Sequence, residues 1–292
     1  MVYTLGITGL LSLEYFLLYG LYCTAFGLMV VNINESNKGK SLDTSPIFSC
    51  TIKTSQLKAN MAKKQFFIIV DTETSITDKV VDFAAVIIDR KGIVHHQCAI
   101  LVQSVFAVDS LFYDKNAPGI WSQANVSKRM DGYNAMLDTG SRMLASVNAI
   151  NRWLAQAQGK YNPELTAYNL AFDNGKCANT GIDLTMFSRR FCLWAASVGN
   201  ICNTRAYRQF ACDNHLFNAR TKFGNMTYST TAEAVTGFLS GTMTDEPHTA
   251  LEDIIGYEIP TLAHILNKRD WREKMIAYNW KSHQVKDHFK AK

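Results

Sequence analysis

At 292 residues, 47% hydrophobic and 19% charged, the chain can bury one large core with appendages or two small ones, and it is too apolar for a disordered protein. Seven cysteines, odd in number and scattered from Cys23 to Cys212, exclude the dense disulfide framework of a secreted mini-domain and favour a reducing, cytoplasmic setting. A net charge of +5 is too modest to mark a nucleic-acid binder by itself, but eight Lys and Arg against three Asp and Glu between 268 and 292 place the whole excess in the tail.

The first segment, 1–31, is apolar with Glu14 as its only charged side chain, and the seventeen uncharged residues from Tyr15 to Val31 reach the lower limit for spanning a bilayer. If it spans, Lys38, Lys40, Lys53 and Lys58 hold the remainder in the cytoplasm. A signal peptide fits less well, because no positive region precedes the apolar run. Residues 32–60 form a Ser/Thr/Asn/Lys-rich linker that ends at Met61-Ala62-Lys63-Lys64-Gln65, a natural beginning for a domain. Two readings of 1–60 therefore stand side by side, a membrane anchor and an over-extended gene start.

From Phe66 the pattern changes. Phe66 to Val70 is an apolar, β-branched and aromatic run that reads as a buried strand, and it ends in Asp71-Thr72-Glu73. In a strand Asp71 and Glu73 point to one face, and two carboxylates so close resist joint ionisation unless a cation lies between them; hard oxygen ligands favour Mg²⁺ or Mn²⁺. Strand-like runs at Val80–Ile88 and Ile93–Val102 follow, joined by the turn Asp89-Arg90-Lys91-Gly92, which predicts an antiparallel meander. The pattern weakens between Ser104 and Gly140, where Pro118, Gly119 and Gly132 read as irregular structure. Met143, Val147, Ile150 and Leu154 then predict a helix over Arg142–Ala157.

Next come a fourth strand over Glu164–Tyr168, a helix opened by Asn169-Leu170-Ala171-Phe172-Asp173, and a fifth strand at Phe191-Cys192-Leu193-Trp194. Alternation of strands and helices makes the fold class α/β. Asn200–Tyr228 is long and polar and reads as a substrate-contacting insertion. Thr230-Thr231-Ala232-Glu233 is a capping box, and Asp245-Glu246-Pro247 marks another helix start, with His248 in its first turn and Asp253 a turn and a half further on.

Asp71 and Glu73 alone are a weak signal, because acidic residues after a strand often only begin a turn. The order strand-Asp-x-Glu, then Tyr168-Asn169-x-x-Phe172-Asp173, then His248-x-x-x-x-Asp253 is specific. Over Gln65–Leu266 the sequence resembles the DEDDh branch of the 3′–5′ exonucleases, the group that includes the proofreading epsilon subunit of DNA polymerase III and RNase T. That resemblance implies an RNase H-like fold, a mixed five-stranded sheet flanked by helices. It also implies two divalent ions, Mg²⁺ or Mn²⁺, on Asp71, Glu73, Asp173 and Asp253, with His248 as general base. Thr72, Thr74 and Asn169 fall where substrate contacts are expected.

The implied activity is stepwise release of 5′-monophosphates from 3′ ends, with single-stranded DNA as the preferred substrate in replication, repair or proofreading and a DNA polymerase as a partner. The alternatives are an exoribonuclease acting on RNA ends, and a non-catalytic nucleic-acid-binding module that keeps the fold. The domains read as 1–31 apolar segment, 32–60 linker, 61–267 exonuclease domain and 268–292 basic aromatic tail. That tail combines Trp271, Tyr278, Trp280 and Phe289 with its lysines, and docking through Trp280 with loose nucleic-acid contact from the last lysines is expected. Cys192, Cys202, Cys212 and His215 lack a Cys-x-x-Cys knuckle and read as buried free cysteines with a structural His rather than a zinc site. His95 and His96, on opposite faces of a strand, cannot converge on one metal.

Overall fold

The structure is a computed structural model that describes residues 64–112, 122–219, 225–277 and 283–285. The apolar segment 1–31, the linker 32–60, Met61, and Tyr278, Trp280 and Phe289 of the tail lie outside the described residues.

Three long strands, β1 (Phe66–Thr74), β2 (Val80–Asp89) and β3 (Val94–Val102), form the antiparallel meander predicted from the sequence. Its second turn is closed by Gly92 at φ 79°, a left-handed conformation that glycine adopts without steric cost. Two short strands, β4 (Met143–Ala145) and β5 (Glu164–Thr166), run parallel to β3 and β1 and complete a mixed sheet of order β4-β3-β2-β1-β5. The helices are α1 (Gln103–Phe106), α2 (Gln123–Asp138), α3 (Val147–Tyr161), α4 (Leu170–Thr180), α5 (Leu193–Ser197), α6 (Arg205–Asp213), α7 (Ala232–Ser240), α8 (Ala250–Asp253), α9 (Ile259–Leu266) and α10 (Trp271–Ile276). Wider π-helical turns, Val198–Cys202 and Ile254–Glu258, continue α5 and α8.

Because side chains alternate along β1, the strand feeds two cores. Ile68 and Val70 pack with Phe83, Leu101, Ile150 and Leu154 on one face, while Phe67 and Ile69 pack with Val86, Leu193, Ile254 and Leu262 on the other. Burial on both faces explains why the strand reads as an unbroken apolar run. Each such side chain taken fully out of water contributes roughly 1.5–3 kcal/mol.

Several sequence expectations shift. The fifth strand of the sheet is Met143–Ala145, not 191–194: Arg190 makes a single parallel bridge to Leu165, and the backbone then turns into α5. Met143 belongs to that edge strand and is 62% exposed, so the helix expected from Arg142 starts only after Ser146, whose side chain caps the Ala149 N–H. The stretch read as irregular contains the sixteen-residue α2. In α7 the cap is Thr231, one residue beyond the Thr230 cap that the box predicts, and Glu233 reaches instead to the Glu246 N–H at 2.9 Å. No described helix begins at Asp245; α8 begins at Ala250, and His248 precedes it in a left-handed conformation, φ 55°.

At the start of the tail, Trp271 is 3% exposed within the second core, and Arg272 pairs in a two-pronged fashion with Glu164 at 2.9 and 2.6 Å. Among the described residues, no helix is long and apolar enough to cross a membrane.

Candidate active site

β5 pairs with β1 only from Phe67 to Ile69, so Asp71 and Glu73 run past the end of their parallel neighbour. On the other side the β1–β2 ladder slips between Glu73 and Thr74, and further out Ser75 bridges Leu111, which brings Phe112 to the mouth of the opening. A crevice beyond the carboxyl ends of parallel strands is where α/β sheets bind ligands, and this one holds about 470 Å³. Asp71, Thr72, Glu73, Thr74, Phe172, His248 and Asp253 line it.

Each acidic group arrives from a different element. Asp173, 3% exposed, lies in the first turn of α4, where its Oδ1 accepts from the Thr72 hydroxyl at 2.8 Å. Asp253, 4% exposed, is carried by α8, whose leading N–H at Ala250 donates to Asp82 Oδ2 at 3.1 Å. Asp82 faces Glu73 across the ladder and is itself held by Arg142, so one buried ion pair ties the helix of Asp253 to the strand of Glu73. Ligating atoms of Glu73, His248 and Asp253 all lie within 4.8 Å of one another. Neighbouring Glu252 turns to Arg142, at 2.5 Å, so adjacency in sequence does not bring it into the cluster. Asn169 lies across Asp71 in an adjoining groove.

Four groups escaped the sequence reading. Glu258, 2% exposed, accepts from the Tyr168 N–H at 3.0 Å and shares the adjoining groove with Asp71. Glu246 lines both cavities, and Glu233, Glu246 and His248 form a second convergent set. Arg129 of α2 donates to the His248 carbonyl at 3.0 Å and stands 3.5 Å from Glu73 Oε2. Lys176 lines the crevice with its Nζ 4.8 Å from the Phe172 ring centre, resting against Asp78 at 2.7 Å.

Electrostatically the cluster is under-compensated. Burial, and then the fields of Glu258 and Asp173, push the carboxyl of Asp71 well above its ordinary range. Burial raises Asp173 to about 7 against the Thr72 hydrogen bond, and burial with Glu246 raises Asp253 to about 8. Glu73 rises through burial despite Arg129. Burial, followed by the Arg129 guanidinium, holds the His248 imidazole below its usual value. Asp253 Oδ1 and Glu258 Oε2 are buried acceptors without a hydrogen-bond partner. Orphaned hard oxygens among carboxylates that cannot ionise together fit Mg²⁺ or Mn²⁺.

Cys202 is buried, and burial pushes its thiol up to about 12, as for an inert core cysteine; Cys192 caps α5 and points its thiol toward the Tyr168 carbonyl at 3.6 Å. His95 lies 3.0 Å from Asp89 while His96 stacks on Trp153 at 5.0 Å.

No protein-family model matches the sequence. No curated protein matches it. Among solved structures, the chain is similar to E. coli exonuclease I in complex with a 5cy-dT13 oligonucleotide, at 14% identity and TM-score 0.39 over 73% of this chain and 42% of that one. It is similar to the zinc-bound form of the E. coli ExoI–ssDNA complex at 14% identity and TM-score 0.40, over 74% and 43% of the two chains. A third similarity is to exonuclease I in complex with the inhibitor BCBP, at 14% identity and TM-score 0.39, over 73% and 43%. The chain thus spans about two fifths of the length of these structures.

Proposed function

We propose that the protein is a metal-dependent 3′–5′ exonuclease acting on single-stranded DNA. The observation that carries this reading is the gathering of Asp71, Glu73 and Asp253 beside a neutral-leaning His248 in one crevice, with the buried Asp173 of α4 held against Thr72 and acting on Asp71. A pair of Mg²⁺ or Mn²⁺ ions held by those four carboxylates would supply charge neutralisation at phosphorus and a more acidic water.

The remaining work falls to the chain's own groups. His248, kept uncharged by burial and Arg129, accepts a proton from the water that attacks phosphorus, the P–O3′ bond breaks, and the departing 3′ oxygen takes a proton from solvent. Arg129 fixes the His248 carbonyl and so the direction of the imidazole. Thr72 holds Asp173, and Asp82 with Arg142 holds the start of the helix that bears Asp253. Lys176 is a cation on the crevice wall suited to a strand phosphate. The folded enzyme unit is proposed to begin at Met61; a chain starting there is expected to be soluble and active, and aggregation would place the preceding residues in the folded unit.

The test is cleavage of 3′-labelled and 5′-labelled single-stranded DNA and RNA with Mg²⁺, Mn²⁺ or EDTA, beside Asp71→Ala. Metal-dependent shortening from the 3′ end, lost in the variant, is expected. A stronger rate on RNA would make the protein an exoribonuclease, and no metal-dependent cleavage of either polymer would sink the enzymatic reading.

A further inference from the structure

Glu258 stands outside the four carboxylates assigned above, and its two oxygens have different surroundings. It closes the π turn that continues α8, and its side chain is 2% exposed. Oε1 accepts at 3.0 Å from the N–H of Tyr168, on the segment that leads into α4. That bond ties the helical stretch carrying Asp253 to the one carrying Asp173, a duty that a neutral amide would perform as well. Oε2 is buried without a hydrogen-bond partner, and among the described residues no Lys, Arg or His forms an ion pair with Glu258. An uncompensated buried carboxylate is strongly destabilising, so the Tyr168 contact does not account for a charged side chain here.

What faces Glu258 is acid. Among charged groups it exerts the strongest field on Asp71, and Asp173 exerts the strongest on Glu258. Glu258 and Asp71 also line one groove, of about 430 Å³, whose wall carries no Lys or Arg among the described residues. Carboxylates from β1, α4 and the π turn thus converge with no cation of the chain between them, and hard oxygens so placed suit a divalent ion. Charge points the same way. Arg129, 3.5 Å from Glu73, offsets one of the four negative charges that face the two ions, and Glu258 restores it. Resting on the exonuclease reading, we propose that Glu258 is a fifth carboxylate of the cation site, its Oε2 supplying a further hard oxygen to the ion held by Asp71 and Asp173. The site then exceeds the four-carboxylate set implied by the sequence motifs, and the π turn is what adds the extra ligand.

The experiment measures Mn²⁺ binding by calorimetry to the wild-type protein, Glu258→Gln and Glu246→Gln, together with the melting temperature of each in EDTA. Glu258→Gln keeps an acceptor for the Tyr168 N–H and puts an N–H donor where Oε2 stood. Its affinity for Mn²⁺ should fall about 10- to 100-fold, the range for losing a group that supports a metal site. Its melting temperature in EDTA should equal or exceed the wild-type value, because an unpaired buried charge has gone. Glu246→Gln removes a negative charge from the same groove wall and so sets the loss due to field alone, which should be several-fold smaller. A Glu258→Gln loss no larger than that of Glu246→Gln overturns the fifth carboxylate and leaves the exonuclease reading in place. So does a lowered melting temperature or a failure to fold in EDTA, which would show that the carboxylate is compensated within the chain. A wild-type protein that binds no Mn²⁺, or cleaves no strand, overturns the exonuclease reading itself and the fifth carboxylate with it.

Discussion

Replacing Arg142 with Met removes the guanidinium that compensates Asp82. Both side chains are fully buried, with Nε and a terminal nitrogen of Arg142 at 2.9 and 3.2 Å from the two Asp82 oxygens. Breaking such a pair from one side costs about 3–5 kcal/mol, a large part of the roughly 5–15 kcal/mol that holds a domain together. For a domain of this size that lowers Tm by about 6–20 °C. Burial already raises the Asp82 carboxyl, and Arg142 opposes it, so removing Arg142 raises it further. A raised folded-state value means that the group favours folding at low pH and ceases to do so as pH climbs through that value. The deficit of Arg142→Met relative to wild type must therefore widen from pH 5 to pH 8. Urea unfolding at both pH values, with Arg142→Met/Asp82→Asn as the partner that relieves the charge and keeps an acceptor for the Ala250 N–H, measures it. A loss under about 1 kcal/mol, or one that does not change with pH, would refute the reasoning.

Metal-free protein in EDTA should lose stability as pH rises from 5 to 8.5. Asp173 at about 7 and Asp253 at about 8 both stand above the unfolded carboxylate range, so their contribution is complete below about pH 4 and disappears through those two values. Asp253→Asn should accordingly raise the melting temperature at pH 8 without metal while abolishing cleavage; a lowered melting temperature would contradict it. Arg129→Ala should shift the acid limb of kcat/KM toward higher pH, because Arg129 helps hold the imidazole of His248 below its ordinary value and a neutral imidazole is the working form. An acid limb that stays in place, or moves down, counts against His248 as the base. Lys176→Ala should raise KM about 3- to 10-fold with little change in kcat and reduce the salt slope of log(kcat/KM) by about 0.7, as expected for one lost phosphate contact on a single strand. An unchanged slope would remove Lys176 from the substrate path.

What the sequence disclosed followed its local grammar. The apolar run into Asp71 and Glu73 announced its strand, and the meander and the order of the acidic motifs were visible because each is carried within a few residues. Arg129 was hidden for a different reason. Val126, Met130, Tyr133 and Leu137 fall at helical spacing, and Tyr133 is 1% exposed, but Gly132 and a polar surround obscured α2 and with it the guanidinium facing Glu73. Glu258 was hidden by geometry. Five residues beyond Asp253, an ordinary helix would carry it roughly 140° around the axis; the π turn at Ile254–Glu258 is wider and brings it back beside the cluster. The left-handed backbone of His248 is likewise invisible to a rule that reads Asp-Glu-Pro as a helix start.

Comparison of the buried carboxylates separates those that build the fold from those that form the site. Asp82, Asp89 and Glu164 are each buried and each meets a cation: Arg142 at 2.9 Å, Lys64 at 3.0 Å and Arg272 at 2.6 Å. Around Asp71 the balance differs. Glu73, Asp173, Asp253 and Glu258 approach it from several elements and Glu246 lines the same cavities, while the ion pair described within the group is Arg129 with Glu73, at 3.5 Å. Burial is the first cause of the raised carboxyls at the site, and for Asp71 and Asp253 the fields of neighbouring carboxylates add to it. A fold selected for stability alone would pair or replace these groups, since an unpaired buried carboxylate is strongly destabilising. On the proposed function, cations from outside the chain complete this site, which predicts that Mn²⁺ raises the melting temperature of the wild-type protein more at pH 8 than at pH 5.5, where protons already occupy the same oxygens.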